Sequence, residues 1–189
     1  MVKERHRQTF EDASKENKVD SQLIELCKFI AGTKHFFTSS GCSGRILLLK
    51  LKDDGLKRKS QFHRRWHSTV EFDEFWKAVN EKTEDELWMK VESFIIHIGT
   101  DSFENAQKIL EVKNKAGVKR GGIMVSKDGK LIVELTGTQG IALPIKKDGK
   151  LLVDEEYLKF MLEKGNQKIE RNYERLEFFG KCCRELLKD

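Results

Sequence analysis

Twice along this chain a helical run is followed by three short strand-like runs and then another helix, once from Ser21 and again from Ser102. That order constrains the fold more than any single motif. Short strands joined by tight turns pair antiparallel, whereas parallel neighbours need a long crossover between them. In the first pass Asp20 or Ser21 caps a helix whose apolar face is Leu23, Ile24, Cys27, Phe29 and Ile30, closed by Gly32. Residues 35–40, 45–51 and 61–70 then read as strands, with Asp53-Asp54-Gly55 as turn chemistry. Alternation in the third puts Phe62, Arg64, Trp66 and Ser68 on one side and His63, Arg65 and His67 on the other. Residues 71–82 return to helical spacing through Phe72, Phe75, Trp76 and Val79.

The second pass follows strands over 86–91 and 94–99. Asp101 or Ser102 caps a helix that runs through Asn114 and ends at Ala116-Gly117. Strands over 118–126, 131–136 and 141–145 come next, and residues 154–187 form one long helical period interrupted near Gly165. A weaker helical run over 8–17 precedes everything. The expected architecture is α+β and non-Rossmann: two similar helix–three-strand lobes with mainly antiparallel sheet and a long C-terminal helix. With no linker rich in Pro, Gly or Ser, a single domain over 1–189 is expected, its lobes falling at 20–100 and 101–189.

Several classes are excluded. No uncharged apolar run approaches the ~20 residues of a membrane span, and the charged start leads into no apolar signal segment. No GxGxxG follows a strand, and no Gly-Lys-Ser/Thr completes a phosphate loop. Cys27, Cys42, Cys182 and Cys183 form no CxxC pair or disulfide spacing, so a reducing, cytoplasmic setting is expected. Cys27 and the Cys182-Cys183 pair read as small buried side chains.

The net charge is only +5 over 189 residues, but it is concentrated. Residues 45–67 hold Arg45, Lys50, Lys52, Lys57, Arg58, Lys59, Arg64 and Arg65 against Asp53 and Asp54, a net of +6, with His63, Trp66 and His67 interleaved. Cations beside aromatics suit a phosphate backbone with unpaired bases, and a solvated Lys-rich hairpin is the plainer alternative. Lys57, Arg58, Lys59, Arg64, Arg65 and Trp66 are the candidate RNA contacts.

Candidate chemistry starts with Ser39-Ser40-Gly41-Cys42-Ser43-Gly44-Arg45, which gathers hydroxyls, glycines, a thiol and a guanidinium between two strands. Such a loop offers backbone N–H groups and Arg45 to an anion, or is simply a tight turn. A tyrosine-phosphatase loop does not fit, because Leu48 stands where that chemistry needs arginine. His63 and His67 are four apart on strand periodicity, with Arg64 where a zinc protease has glutamate, so no metal site is expected. His97, inside Phe94-Ile95-Ile96-His97-Ile98, reads by itself as a hydrogen-bonded core histidine. Lys119-Arg120-Gly121-Gly122 opens a strand where glycines let a ligand approach the backbone.

In this order the pieces resemble the tRNA wybutosine-synthesising protein 3 family in its short archaeal form. The carrying stretch is Phe37-Thr38-Ser39-Ser40-Gly41-Cys42-Ser43-Gly44-Arg45-Ile46. Trp66-His67, the His97 strand, 116–123, Leu143-Pro144 and tail residues Tyr157, Asn166, Lys168, Asn172 and Arg175 continue it. Gly41 stands where the family usually has a second serine, and the segment around Trp66 is only loosely similar. The resemblance implies an S-adenosylmethionine-dependent methyltransferase that methylates N4 of the 7-(aminocarboxypropyl)-4-demethylwyosine-type base at position 37 of tRNA-Phe, beside the anticodon. It implies neither a DNA nor a membrane partner. A non-catalytic tRNA-binding adaptor of the same pathway is the alternative. Ser39, Ser40, Cys42, Ser43, Gly44, Arg45, Arg120 and Gly122 are then the expected cofactor contacts, Arg45 or Arg120 taking its carboxylate, with Cys42 in a packing or weak hydrogen-bonding role. His97 and His67 are the candidate proton acceptors.

Overall fold

The computed structural model describes residues 2–51, 60–127 and 129–188. In chain order the elements are α1 (Val2–Lys15), α2 (Ser21–Gly32), β1 (Phe37–Cys42), β2 (Arg45–Leu51), β3 (Gln61–Trp66), α3 (Phe72–Asn80), β4 (Glu86–Glu92) and β5 (Ile95–Thr100). They continue with α4 (Phe103–Lys115), β6 (Arg120–Lys127), β7 (Lys130–Thr136), β8 (Ile141–Lys147), β9 (Lys150–Leu151) and α5 (Glu155–Leu186). Among the described residues every strand pairing is antiparallel. The strands form two sheets, β1-β5-β7-β6 and β3-β2-β4-β8-β9. The α+β class, antiparallel sheets and long C-terminal helix therefore follow the sequence pattern. No helix among the described residues is long and apolar enough to cross a membrane.

The chain divides into two units, but not into the lobes expected at 20–100 and 101–189. The first comprises Met1–Ser43, Phe94–Thr138 and Asn172–Asp189, the second Gly44–Ser93 and Gln139–Arg171. The reason is strand pairing. β1 finds its partner in β5 rather than β2, and β4 pairs with β2 and β8 rather than with the strand that follows it. Sequence order counts strands without revealing such crossovers.

In the first unit one sheet face carries Ile96, Ile98, Val133 and Leu135, which pack with Leu23, Leu26 and Ile30 of α2, Ile109 and Val112 of α4, and Leu176 and Phe179 of α5. Alternation sends Ile95, His97 and Gly99 of β5 to the opposite face. Gly99 is required there because the Phe37 ring lies against it; a Cβ at Gly99 would sit 2.1 Å from that ring. His6 of α1 stacks on the same ring at 4.5 Å and 13°. Burial pushes the His6 imidazole below its ordinary pKa, with Lys130 and Arg5 adding to the effect.

The α4 ends behave as their sequence predicts. Ser102 accepts from the Asn105 N–H, and Gly117 adopts φ 67° past the last turn. Arg175 donates to the Ala116 carbonyl at 2.6 Å, satisfying one of the helix's last acceptors. Asp20 does occupy the N-cap position of α2, but its side chain makes no cap bond. Its Oδ2 instead accepts both the N–H (2.7 Å) and the hydroxyl (3.0 Å) of Ser43.

In the second unit, Ile46, Leu48, Met89 and Val91 are buried, as are Phe75 and Val79 of α3 and Leu158 and Leu162 of α5. Lys146 closes α3 by donating to the carbonyls of Val79 (3.2 Å) and Glu81 (3.1 Å). Gly165 does not interrupt α5, contrary to its composition. A Cβ there would approach Met89 and Val91 at 3.2 Å, so the glycine lets the helix lie close on the sheet without breaking it.

The strict alternation expected for residues 61–70 is also broken. Leu48 pairs with Arg64 and Leu49 with Phe62, so His63 is an inserted residue of a β-bulge. His63, Arg64 and Trp66 turn toward α3 and its end: His63 Nε2 lies 2.9 Å from the Ala78 carbonyl, Arg64 pairs with Glu81, and Trp66 donates to Glu74 at 2.6 Å. Phe62 and Arg65 take the other face, opposite Leu49 and Leu47.

Candidate active site

The Ser-rich stretch resolves into three settings. β1 contains an irregularity between Thr38 and Ser40, so Ser39 is extra to the ladder and Ser40 comes opposite His97. Ser43 is fully buried on the Asp20 carboxylate. The Tyr173 hydroxyl also bonds Ser43; burial pushes that phenol's pKa up, the Ser43 bond opposes the shift, and Asp20 and Cys42 add to it. Cys42 ends β1 half-buried. Gly44, with φ 98°, and Arg45 already belong to the second unit.

His97 is not a core histidine. It projects from the sheet face opposite the apolar core, and both ring nitrogens are engaged. Ser40 Oγ lies 2.9 Å from Nδ1 and Glu134 Oε2 lies 3.0 Å from Nε2. The pairing register makes this a straight row over four strands: Ser40 on β1, His97 on β5, Glu134 on β7 and Gly122 on β6. A Cβ at Gly122 would meet nothing within 4 Å, so the row ends in open space. The adjoining row of the same face holds Cys42, Ile95, Thr136 and Arg120. Gly121 lets β6 approach β7 closely, since a Cβ there would fall 2.0 Å from the Glu134 carbonyl oxygen.

The electrostatics of the row define its chemistry. A carboxylate only accepts, so it holds a proton on Nε2 and leaves the Nδ1 lone pair to accept from the Ser40 hydroxyl. The side chains are 24% exposed for His97 and 27% for Glu134, enough to reach a ligand and too little for free hydration. A serine proton passed to Nδ1 would create an imidazolium facing an anion, the same logic that activates hydroxyls in hydrolytic triads.

Beside Ser40, at the edge of β1 that faces α1 and α2, lies a cavity of about 220 Å³. Phe10, Val19 and Leu23 give it apolar lining, and His6, Thr9, Lys18, Thr38, Ser39 and Ser40 give it polar lining. Cys27 also lines it; burial raises that thiol's pKa to about 11 against an opposing hydrogen bond from Thr38.

The structure thus gathers Ser40, Cys42, His97, Arg120 and Gly122 of the sequence-derived candidates on one face of one sheet. His67 lies beyond β3 in the second unit, half-buried. Arg45 is also in that unit and is held by Glu92, which accepts from its Nε at 2.8 Å and its Nη2 at 2.7 Å. Lys57, Arg58 and Lys59 lie outside the described residues. Glu134 escaped the sequence reading, although it shares the signal that marked His97: a titratable residue within an apolar strand, Leu131-Ile132-Val133-Glu134-Leu135.

The family model described as Methyltransferase TYW3 matches residues 2–185. A Pyrococcus abyssi protein named tRNA(Phe) 7-((3-amino-3-carboxypropyl)-4-demethylwyosine(37)-N(4))-methyltransferase 1 is 32% identical over 178 residues, covering 94% of this chain and 92% of its own. The tRNA wybutosine-synthesizing protein 3 homolog of Homo sapiens is 33% identical over 180 residues, covering 93% of this chain and 69% of its own. Among solved structures, the PH1069 protein of Pyrococcus horikoshii superimposes with a TM-score of 0.90 at 30% identity, over 95% of this chain and 93% of that one.

Proposed function

The chain belongs to the TYW3 methyltransferase family, and on that premise we propose that it methylates N4 of the 7-(aminocarboxypropyl)-4-demethylwyosine-type base at position 37 of tRNA-Phe. S-adenosylmethionine supplies the methyl group as a sulfonium, whose transfer to nitrogen demands in-line placement more than a strong base. The observation that carries the site is the Ser40–His97–Glu134 row.

The nitrogen that gains a methyl must lose its proton. Ser40 accepts that proton as its own passes to His97 Nδ1, and Glu134 stabilises the imidazolium through Nε2. A bound sulfonium would give up its methyl carbon to the nitrogen and keep the S–C electron pair, and the proton that nitrogen loses ends on His97. The neighbouring cavity offers an adenine ring apolar lining from Phe10, Val19 and Leu23 and polar groups for its edge. Arg120, exposed in the row adjoining His97, is the guanidinium for the cofactor carboxylate, because Arg45 is already committed to Glu92. Ser39 reads a polar edge in the same cavity, while Ser43, fixed by Asp20, holds the turn rather than a ligand. The substrate is a base of the anticodon loop, and four cysteines outside any disulfide fit reaction in the cytoplasm.

Titration calorimetry with S-adenosylmethionine separates this reading from the adaptor. Saturable binding is expected, weakened by Arg120→Ala. No binding in either the presence or the absence of tRNA would overturn the enzyme reading.

A further inference from the structure

The bulge at His63 splits the basic stretch between two faces, and the split isolates an aromatic–guanidinium stack. Phe62 is 52% exposed on the face turned away from α3. The guanidinium carbons of Arg45 and Arg65 lie 4.8 and 5.7 Å from its ring centroid. Register explains the grouping: Arg65 is opposite Leu47, Phe62 is opposite Leu49, and Arg45 precedes Leu47 by two on β2. Glu92 fixes the Arg45 plane. Arg65 is exposed, and no carboxylate among the described residues pairs with it.

We propose that Phe62, with Arg45 and Arg65, is a stacking platform for an unpaired base of the tRNA, with Arg65 also serving the adjoining phosphate. This rests on the reading that tRNA is the substrate. Phenyl and guanidinium planes are the surfaces on which splayed-out bases stack, and the cation adds attraction for the backbone. Charge argues for nucleic acid over an apolar protein partner: the ring's neighbours are cations, and residues 45–67 carry a net +6. Trp66 and Arg64, which the sequence offered for this role, are turned instead to Glu74 and Glu81.

The test is binding of unmethylated tRNA-Phe to the full chain by fluorescence anisotropy across a salt series, with steady-state methylation alongside. Phe62→Ala is expected to weaken binding about 10-fold and to raise KM with kcat retained, and Phe62→Trp to restore both. Arg65→Ala should lower the slope of log K against log salt by about 1. Unchanged affinity in Phe62→Ala overturns the platform, as does a Phe62→Ala protein that changes only its self-association. The two readings fail separately. Wild-type protein showing these dependences without methyl transfer sinks the enzyme and leaves the platform. A methylating wild type whose Phe62→Ala variant binds equally well sinks the platform alone.

Discussion

His97→Gln is expected to lower methyl transfer by about 10²–10⁴-fold, the range in which a positioned acid–base group contributes. The fold should survive, because His97 stands on the sheet face opposite Ile96 and Ile98 rather than in the core. Glutamine cannot take the proton that Ser40 passes on. Ser40→Ala should fall by a similar factor, since it removes the group between nitrogen and imidazole. Glu134→Gln should fall less, because the amide still hydrogen-bonds Nε2 and only the charge is lost. The diagnostic is non-additivity. If the three act as one relay, the Ser40→Ala/His97→Gln double variant should be scarcely slower than either single variant. Single-turnover assays with saturating tRNA, beside thermal melts, measure all four. Full turnover by a folded His97→Gln protein would reduce the row to a surface hydrogen-bond network.

Gly121→Ala should be among the most destabilising single changes in the chain. A Cβ there falls 2.0 Å from the Glu134 carbonyl oxygen and 2.9 Å from Leu135 Cα, with φ at 126°. Those are backbone atoms of the paired strand, so relief requires β6 to leave β7. Overpacking and backbone strain together should cost about 3 kcal/mol or more, lowering Tm by roughly 6–12 °C in a chain of this size. Gly122→Ala is the matched control, one residue on and with nothing within 4 Å of its Cβ position, and its melt should stay near wild type. Coincident melts of the two variants would mean that the close approach of β6 to β7 does not exist in solution.

Both predictions depend on features of unequal visibility in the sequence. Element order was legible because the elements carry apolar residues in recognisable patterns: Leu23 to Ile30 for α2, Phe72 to Val79 for α3, alternation through β4 and a short apolar run in β7. Pairing was not, since whether β1 joins β2 or β5 is decided by long-range contacts that no local period records. The His63 bulge was hidden for the same reason, and it inverted the expected company of Phe62 and Arg64. Gly165 reads as a breaker until the buried side chains beneath it are known. In the site, the Ser-rich stretch and His97 stood out as polar groups among apolar neighbours. Their mutual distance needed the register of β1 on β5, and Glu134 needed that of β7 as well. Asp20 looked like a helix cap because local sequence cannot anticipate two donors arriving from Ser43.

Whether this chain methylates a tRNA base can be read from the mass of the modified nucleoside. Unmethylated tRNA-Phe carrying the demethylated tricyclic base is incubated with the protein and S-adenosylmethionine, digested and analysed at position 37. The expected nucleoside is heavier by the replacement of one hydrogen with one methyl, and that gain is lost in the His97→Gln variant. A nucleoside of unchanged mass, from protein that binds both the tRNA and the cofactor, would contradict it.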